Sequence, residues 1–443
     1  MSLMYVKILW MQQTKTPNSL LIFGWGCGTI LQRVGVEGGS SISADNLTLT
    51  REPRVSFATT RRYAGFVVQK EQKMAFDNVF TKKELQEMWK RPVERQYNIA
   101  FTKVVEAILK TDGDIWIGFS GGKDSSLVLD MYCEALVSLG MQDRPVKVKF
   151  ADTTNETTNM YKFVRFFIDY VQKKYGVTVE FEKVRPEISW AHFCKQNGIP
   201  LISKDQARRI RTVKSDMRKL GVDYDAVCWL FRKGDISAVR ELQDLGFSKT
   251  SILALTGYVD RREEFGKKYT LSRKWLPMVN CPVDLTEQCC INVKEKPLDK
   301  ISSYALMTGG QAAESTSRTE QYLRTGCNFT FPDGSFKSKP LGAMTANGIL
   351  YALKFRGTPI CADYGEIVCE DGCYKCTNAQ RTGCALCGFG CQYDTERFVR
   401  LQDTEPAKLK FAFKPKEDGG LGYKEAIEYM NEYCGTSVII PEV

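Results

Sequence analysis

The chain has 443 residues, 43% hydrophobic and 26% charged, which is enough for two or three domains with an ample core. Lys and Arg outnumber Asp and Glu by 62 to 52, and the resulting +10 suits an anionic ligand such as a nucleotide or a nucleic acid, or simply a basic surface. The single histidine, His192, excludes sites built on several histidines, and no run approaches the roughly 20 apolar residues of a membrane span.

The first 75 residues read as short β-prone segments ("YVKILWM", "SLLIFGW", "LTLT", "RVSFATT") separated by Gly, Ser and Asn, a small β-rich segment of unassigned role. Their start lacks a basic stretch followed by an apolar run and a small-residue cleavage site, so a cytoplasmic protein is expected. From Thr81 the pattern turns helical, with a Thr cap, an acidic residue three places on, and Pro92 as a break. Strands and helices then alternate. "DIWIGF", "VKVKFA" and "VTVEFEKV" read as strands; "KDSSLVLDMYCEALVSLG" and "NMYKFVRFFIDYVQKKYG" read as helices. This alternation predicts an α/β fold: a doubly wound, mostly parallel sheet covered on both faces. Residues from about 205 to 265 read as largely helical and rich in basic residues. Lys204, Arg208, Arg209 and Arg211 there suit phosphate, nucleic acid or plain solvent. One more strand, "YALMT", lies at 304–308, and the chain divides into 1–75, 76–280 and 281–443.

The loop "SGGKDS" stands where such a sheet binds ligands, between the end of a strand and the start of a helix. Gly121 and Gly122 let the backbone approach a phosphate, and the first helical N–H groups favour an anion. Lys123 adds charge; Ser120, Ser125 and Ser126 add hydroxyls. Asp124 suits phosphate only if it orients a donor or a Mg²⁺ ion. The loop is not the G-x-x-x-x-G-K-[ST] type, because Asp follows the Lys. Asp152 and Thr153, at the end of the second strand, either reach the same ligand or form an Asx-type turn. "GGQAAESTSR", after the late strand, reads as a second anion pocket or an ordinary capped helix.

Two cysteine groups stand out. One is the vicinal pair Cys289–Cys290. The other holds Cys369, Cys373, Cys376, Cys384, Cys387 and Cys391, with two C-x-x-C pairs separated by seven residues. That spacing is shorter than the usual zinc pattern, and it leaves zinc and a four-thiolate iron–sulfur cluster both open.

The string "SGGKDS" resembles the PP-loop of the adenine-nucleotide α-hydrolase superfamily. The order of PP-loop, CC-x₆-PL, "GG…ESTSR" and "TGC-x-x-C" resembles the phosphoadenosine phosphosulfate (PAPS) reductase family, in its bacterial and phage-type branch. The likeness runs from about Thr81 to the end. It implies Ser120, Gly121, Gly122, Lys123, Asp124 and Ser125 as phosphate-binding residues, and Glu314, Ser315 and Arg318 as substrate-lining. It further implies a [4Fe–4S] cluster on Cys289, Cys290, Cys384 and Cys387, with Cys391 as rival fourth ligand. Cys369, Cys373 and Cys376 are left as a zinc knuckle or spare thiols. Cys434 is implied as the nucleophile, although Tyr433 precedes it where the family carries Glu and no His follows. Gln311 stands near a position where many members have Arg.

The reading that results is thiol-dependent reduction of adenylyl sulfate or PAPS to sulfite, with a thioredoxin-like reductant as partner. The alternatives are an ATP·Mg²⁺-dependent sulfurtransferase acting on a nucleic acid or small molecule, and a non-enzymatic nucleotide- and cluster-binding regulator. A homo-oligomer is left open, and no membrane partner is expected.

Overall fold

The computed structural model describes residues 78–266, 269–299 and 304–442; the expected β-rich segment over residues 1–75 lies outside them. Helix α1 (Lys82–Trp89) begins at Thr81, whose hydroxyl accepts the Glu84 N–H while Glu84 accepts the Thr81 N–H. This is the reciprocal cap that the sequence predicts. Pro92 cannot continue the run, and α2 (Val93–Thr111) starts after it.

The alternating segment then builds the sheet. Its elements are β1 (Trp116–Gly118), α3 (Lys123–Ser138), β2 (Val146–Ala151), α4 (Thr158–Tyr175) and β3 (Val179–Val184). A helical stretch follows: α5 (Trp190–Asn197), α6 (Lys204–Leu220), α7 (Tyr224–Leu230), α8 (Ile236–Asp244) and α9 (Lys249–Thr256). The chain returns to the sheet with β4 (Ala305–Thr308), α10 (Thr316–Thr325), β5 (Asn328–Thr330) and β6 (Phe336–Ser338). It ends with α11 (Ala346–Arg356), α12 (Pro406–Phe413) and α13 (Tyr423–Cys434). Among the described residues, no helix is long and apolar enough to cross a membrane.

The six strands lie in the order β3-β2-β1-β4-β6-β5. All neighbours are parallel except β5 and β6. The chain leaves β1 for β2 on one side and later adds β4 on the other. A crevice therefore opens outside the carboxyl ends of β1 and β4, where doubly wound sheets bind ligands.

Apolar side chains from β1, β2, α3, α4 and α11 form the core on the sheet. At one edge of this core, Asp130 is fully buried. Burial alone would raise its pKa, but Arg356, with Nε 2.6 Å from Oδ2, holds it below the usual carboxylate range, with Thr358 and Lys174 assisting. The ion pair joins α3 to α11. A second core gathers α5 to α9 with residues of the C-terminal part, including Phe398, Phe413 and Tyr423.

One short segment ties that second core together. Ile199 bridges to Leu285, and Leu201–Ile202 pairs in parallel with Gly388–Phe389. Gly388 lies so close to the Pro200 carbonyl that a Cβ would stand 2.5 Å from its oxygen. The segments leading to Cys289–Cys290 and away from Cys384–Cys387 thus meet on one strut.

Candidate functional site

The chain leaves β1 at Gly118 and enters α3 at Lys123. Gly121 has φ +73°, and a side chain there would meet Met160 Sδ at 2.3 Å, so glycine is required. The Ser120 N–H donates to Ser125 Oγ (3.2 Å), and the Ser125 and Ser126 hydroxyls donate to the Gly122 carbonyl at 2.9 and 3.2 Å. These bonds fold the loop onto the first turn of α3. From the neighbouring strand, Gly309 packs directly on that turn: a Cβ there would lie 2.8 Å from the Asp124 carbonyl carbon.

A cavity of 430 Å³ opens against the loop. Ser120, Gly122, Asp124 and Ser125 line it from one side, and Gln311, Glu314 and Arg318 from the β4–α10 connection. Lys123 does not line it: its ammonium is buried behind the loop, 3.3 Å from Asp124 Oδ2 and 5.8 Å from the centre of the Tyr364 ring. Gln311 donates from Nε2 to Asp124 Oδ1 at 2.9 Å, so a neutral donor holds the loop carboxylate.

Cations surround this space. Lys149 points in from β2, with its pKa lowered by burial. Lys339 is lowered by burial and then by Lys337 and Arg318. Arg318 is lowered by burial and by Arg381. Glu314 sits between Arg318 and Arg381, 3.0 Å from the latter. Desolvated, mutually repelling cations favour an incoming anion.

The remaining wall comes from the cysteine-rich part. Tyr364 and Thr382 both line the cavity. The Tyr364 hydroxyl accepts the Lys123 N–H at 3.2 Å and lies 2.5 Å from Thr382 Oγ1.

Residues 114–243 match the family model of the phosphoadenosine phosphosulfate reductase domain. Over these residues the chain is similar to the PAPS reductase family. Such domains are PP-loop, nucleotide-binding enzymes of sulfur metabolism. No curated protein matches the chain. The match takes in the loop and three of the six strands of the sheet but ends before Gly309–Arg318 and before the clustered cysteines. Residues beyond the match therefore complete the cavity.

The C-x-x-C turn abuts the end of β2. Thr153 Oγ1 lies 3.3 Å from Cys384 Sγ, and the Ala385 N–H donates to the Asn155 carbonyl at 2.6 Å. Cys384 and Cys387 are half-buried, and desolvation raises both thiols. Cys289 and Cys290 face the same region. Cys289 hydrogen-bonds to Cys290, which with Lys204 and Lys294 holds Cys290 below the ordinary thiol range and leaves the proton on Cys289. Cys194 on α5, which sequence reasoning passed over, interacts electrostatically with Cys290, Cys384 and Cys387. Cys391 interacts with Cys387 and is pushed up to about 11 by burial. Among the described residues, no three Cys, His, Asp or Glu side chains converge on one point as a metal-binding group. The donor set still fits a thiolate-bound metal centre. Desolvated thiols meet basic side chains, and two buried donors nearby, Asn155 Nδ2 and Arg397 Nε, have no hydrogen-bond partner. Lys294 lines the cavity and also interacts electrostatically with Cys290 and Cys384, although among the described residues no cysteine lines the cavity itself.

Other expected site residues sit elsewhere. Asp152 does not line the cavity. It is fully buried, bonded to Lys183, Arg185 and Tyr161, and its Oδ1 accepts the Thr154 N–H at 3.0 Å, an Asx-type turn. Thr153 faces Cys384 rather than the cavity. Ser315 caps α10 by accepting the Arg318 N–H. The hairpin Ile367–Glu370/Cys373–Cys376 pairs Cys369 with Tyr374 and Cys373 with Glu370. Strand alternation therefore puts Cys373 on the opposite face from Cys369 and Cys376, which does not suit a knuckle. The structure does not bring Cys434 to the loop either. It ends α13 in the second core, buried, with its thiol pushed up to about 11.

Lys149, Lys294, Lys339, Tyr364 and Thr382 had no place in the sequence reading. Only Lys149 carried a signal, as a lysine inside a strand that must be buried on both faces. The others reach the cavity through tertiary folding alone.

Proposed function

We propose that the cavity binds an adenine nucleotide with its phosphates on residues 120–125, and that the chain reduces adenylyl sulfate or PAPS to sulfite with electrons from thiols. The observation that carries this reading is the closure of one cavity by the phosphate-type loop and by the wall that leads into the C-x-x-C turn. Ser120, Ser125 and the first amides of α3 offer donors to the phosphates, Lys123 supplies charge from behind, and Arg318 and Lys339 meet the anionic far end. In the reaction, a thiolate attacks the sulfur and the S–O bond to the nucleotide breaks. AMP or 3′,5′-ADP leaves, and the sulfur stays on the thiol as a thiosulfonate. A second thiol, from a thioredoxin-like dithiol, then displaces sulfite and forms a disulfide, so sulfur gains the two electrons that the thiols lose.

Cys289, Cys290, Cys384 and Cys387 are the residues that would hold a [4Fe–4S] cluster, with Zn²⁺ as the alternative ion and Cys391 as the rival ligand. A cluster would supply a charge-delocalising, redox-capable centre beside the cavity. Asn155 and Arg397 would donate to its sulfur atoms.

A second reading is favoured by the seat of Cys434 away from the cavity and by the complete Lys–Asp loop. In it, ATP·Mg²⁺ activates an oxygen of an acceptor, a nucleic acid or small molecule, and sulfur displaces AMP. Anaerobic incubation with adenylyl sulfate, PAPS or ATP·Mg²⁺ plus a dithiol separates the two. Sulfite with AMP or 3′,5′-ADP supports the reductase. Pyrophosphate from ATP without sulfite rejects it in favour of sulfur transfer.

A further inference from the structure

Tyr364 ends the short helical turn Ala362–Tyr364, is buried, and presents its hydroxyl to the cavity. That oxygen accepts the Lys123 N–H, the first amide of α3. The first amides of a helix have no partner within it and are the ones an anion takes. The same oxygen touches Thr382 Oγ1 at 2.5 Å, and Thr382 stands two residues before Cys384. The turn itself is pinned: Asp363 accepts the Thr157 hydroxyl at 2.5 Å and Asn159 Nδ2 at 2.8 Å, both at the start of α4. A fixed tyrosine thus bridges the phosphate-type loop and the C-x-x-C turn by hydroxyl contacts alone.

We propose that Tyr364 is a positioning residue whose hydroxyl relays occupancy of the 120–125 loop to the C-x-x-C turn through Thr382. This rests on the reading that the loop holds a nucleotide's phosphates. A phosphate oxygen is a charged acceptor and outcompetes a phenol oxygen for the Lys123 N–H. Tyr364 then turns its own proton to the phosphate. Thr382 donates its proton to the lone pair of Tyr364 Oη that Lys123 has left. The chain from Thr382 to Tyr364 to phosphate runs in one direction, so each bond polarises the next. Two hydroxyl protons reorient, and no covalent bond changes. With nucleotide bound, the segment before Cys384 is held more firmly than without it.

The test is hydrogen–deuterium exchange over residues 377–388 in full-length, anaerobically purified protein, with and without a saturating adenine nucleotide (adenylyl sulfate or ATP·Mg²⁺, whichever binds by calorimetry). In the wild type, nucleotide slows exchange of this segment by roughly fivefold, the effect of about one strengthened hydrogen bond. Tyr364→Phe keeps the ring and loses the response, while nucleotide affinity falls by no more than about tenfold. Thr382→Val removes the other end of the relay and gives the same loss, which covers the case of a poorly folded Tyr364→Phe protein. Nucleotide binding that leaves the wild-type segment unchanged overturns the relay and leaves the nucleotide site standing, as does slowing that persists in the folded variants. Failure of every adenine nucleotide to bind the wild type overturns the site reading and the relay with it.

Discussion

Thr153 Oγ1 lies 3.3 Å from Cys384 Sγ, so the turn that ends β2 and the C-x-x-C turn are in contact. Residues far apart in the chain are therefore packed together beside the cavity, which the phosphate-type loop and Thr382, two residues before Cys384, both line.

Gly309 sets how closely β4 can approach the start of α3. A Cβ there meets the Asp124 carbonyl at 2.8–2.9 Å and the Ser125 nitrogen at 3.0 Å. Gly309→Ala is expected to lower stability by about 1–3 kcal/mol through overpacking and to weaken nucleotide binding at least tenfold. Gly310→Ala, whose nearest contact is the flexible Lys339 side chain at 3.6 Å, is expected to be close to neutral in the same melting and titration assays.

Asp152 is a structural anchor. Burial opposes its charge, but hydrogen bonds from Lys183, Tyr161 and Arg185 win and bring its pKa down to about 2. The sign follows from linkage. A carboxylate depressed in the folded state contributes stability that is fully present above its unfolded pKa, near 4, and lost as pH falls toward 2. Asp152→Asn is expected to cost about 2–3 kcal/mol at neutral pH, discounted for the partly exposed cations. Its denaturant midpoint should also depend less on pH between 4 and 2 than that of the wild type.

Cys434 is held neutral by burial, its pKa pushed up from 9.0 to about 11. Its thiolate population at pH 8 is then roughly a hundredfold below that of an unshifted thiol. Iodoacetamide should label Cys434 far more slowly than exposed Cys373, with mass spectrometry of the folded protein as readout. Labelling of Cys434 at the rate of Cys373 would show that it leaves its seat, as a nucleophile must.

The thiol assignments separate by metal content. Cys290→Ser and Cys384→Ser are expected to lose most of the iron and sulfide of anaerobically purified protein, whereas Cys391→Ala keeps about four of each. Equal loss in Cys391→Ala moves the ligand set to include Cys391, and zinc without iron removes the cluster.

Much of this was legible in the sequence. Local pattern placed β2 at Val146–Ala151, the break at Pro92 and the loop before Lys123, because period and capping are decided within a few residues. Asp152 was harder, because its partners Lys183 and Arg185 come from β3 and its immediate surroundings, and only the Ala151–Val184 register brings them beside it. Tyr364 and Thr382 had no local mark. Tyr364 reaches Lys123 across 241 residues, and Thr382 reaches it only through Tyr364, once the sheet has formed. Cys434 carried a family-type expectation, and its neighbours in the second core decide its environment instead.

The most direct measurement is an equilibrium titration of ATP·Mg²⁺, adenylyl sulfate and PAPS into wild-type protein and Lys123→Ala. Lys123 supplies charge from behind the loop rather than a contact inside the cavity, and its loss is expected to weaken binding by roughly 10-fold, about 1.4 kcal/mol. The predicted result is binding of at least one of these nucleotides, weakened by that factor in the variant while its melting temperature holds. Equal affinity in the two proteins would contradict the assignment of the phosphates to residues 120–125.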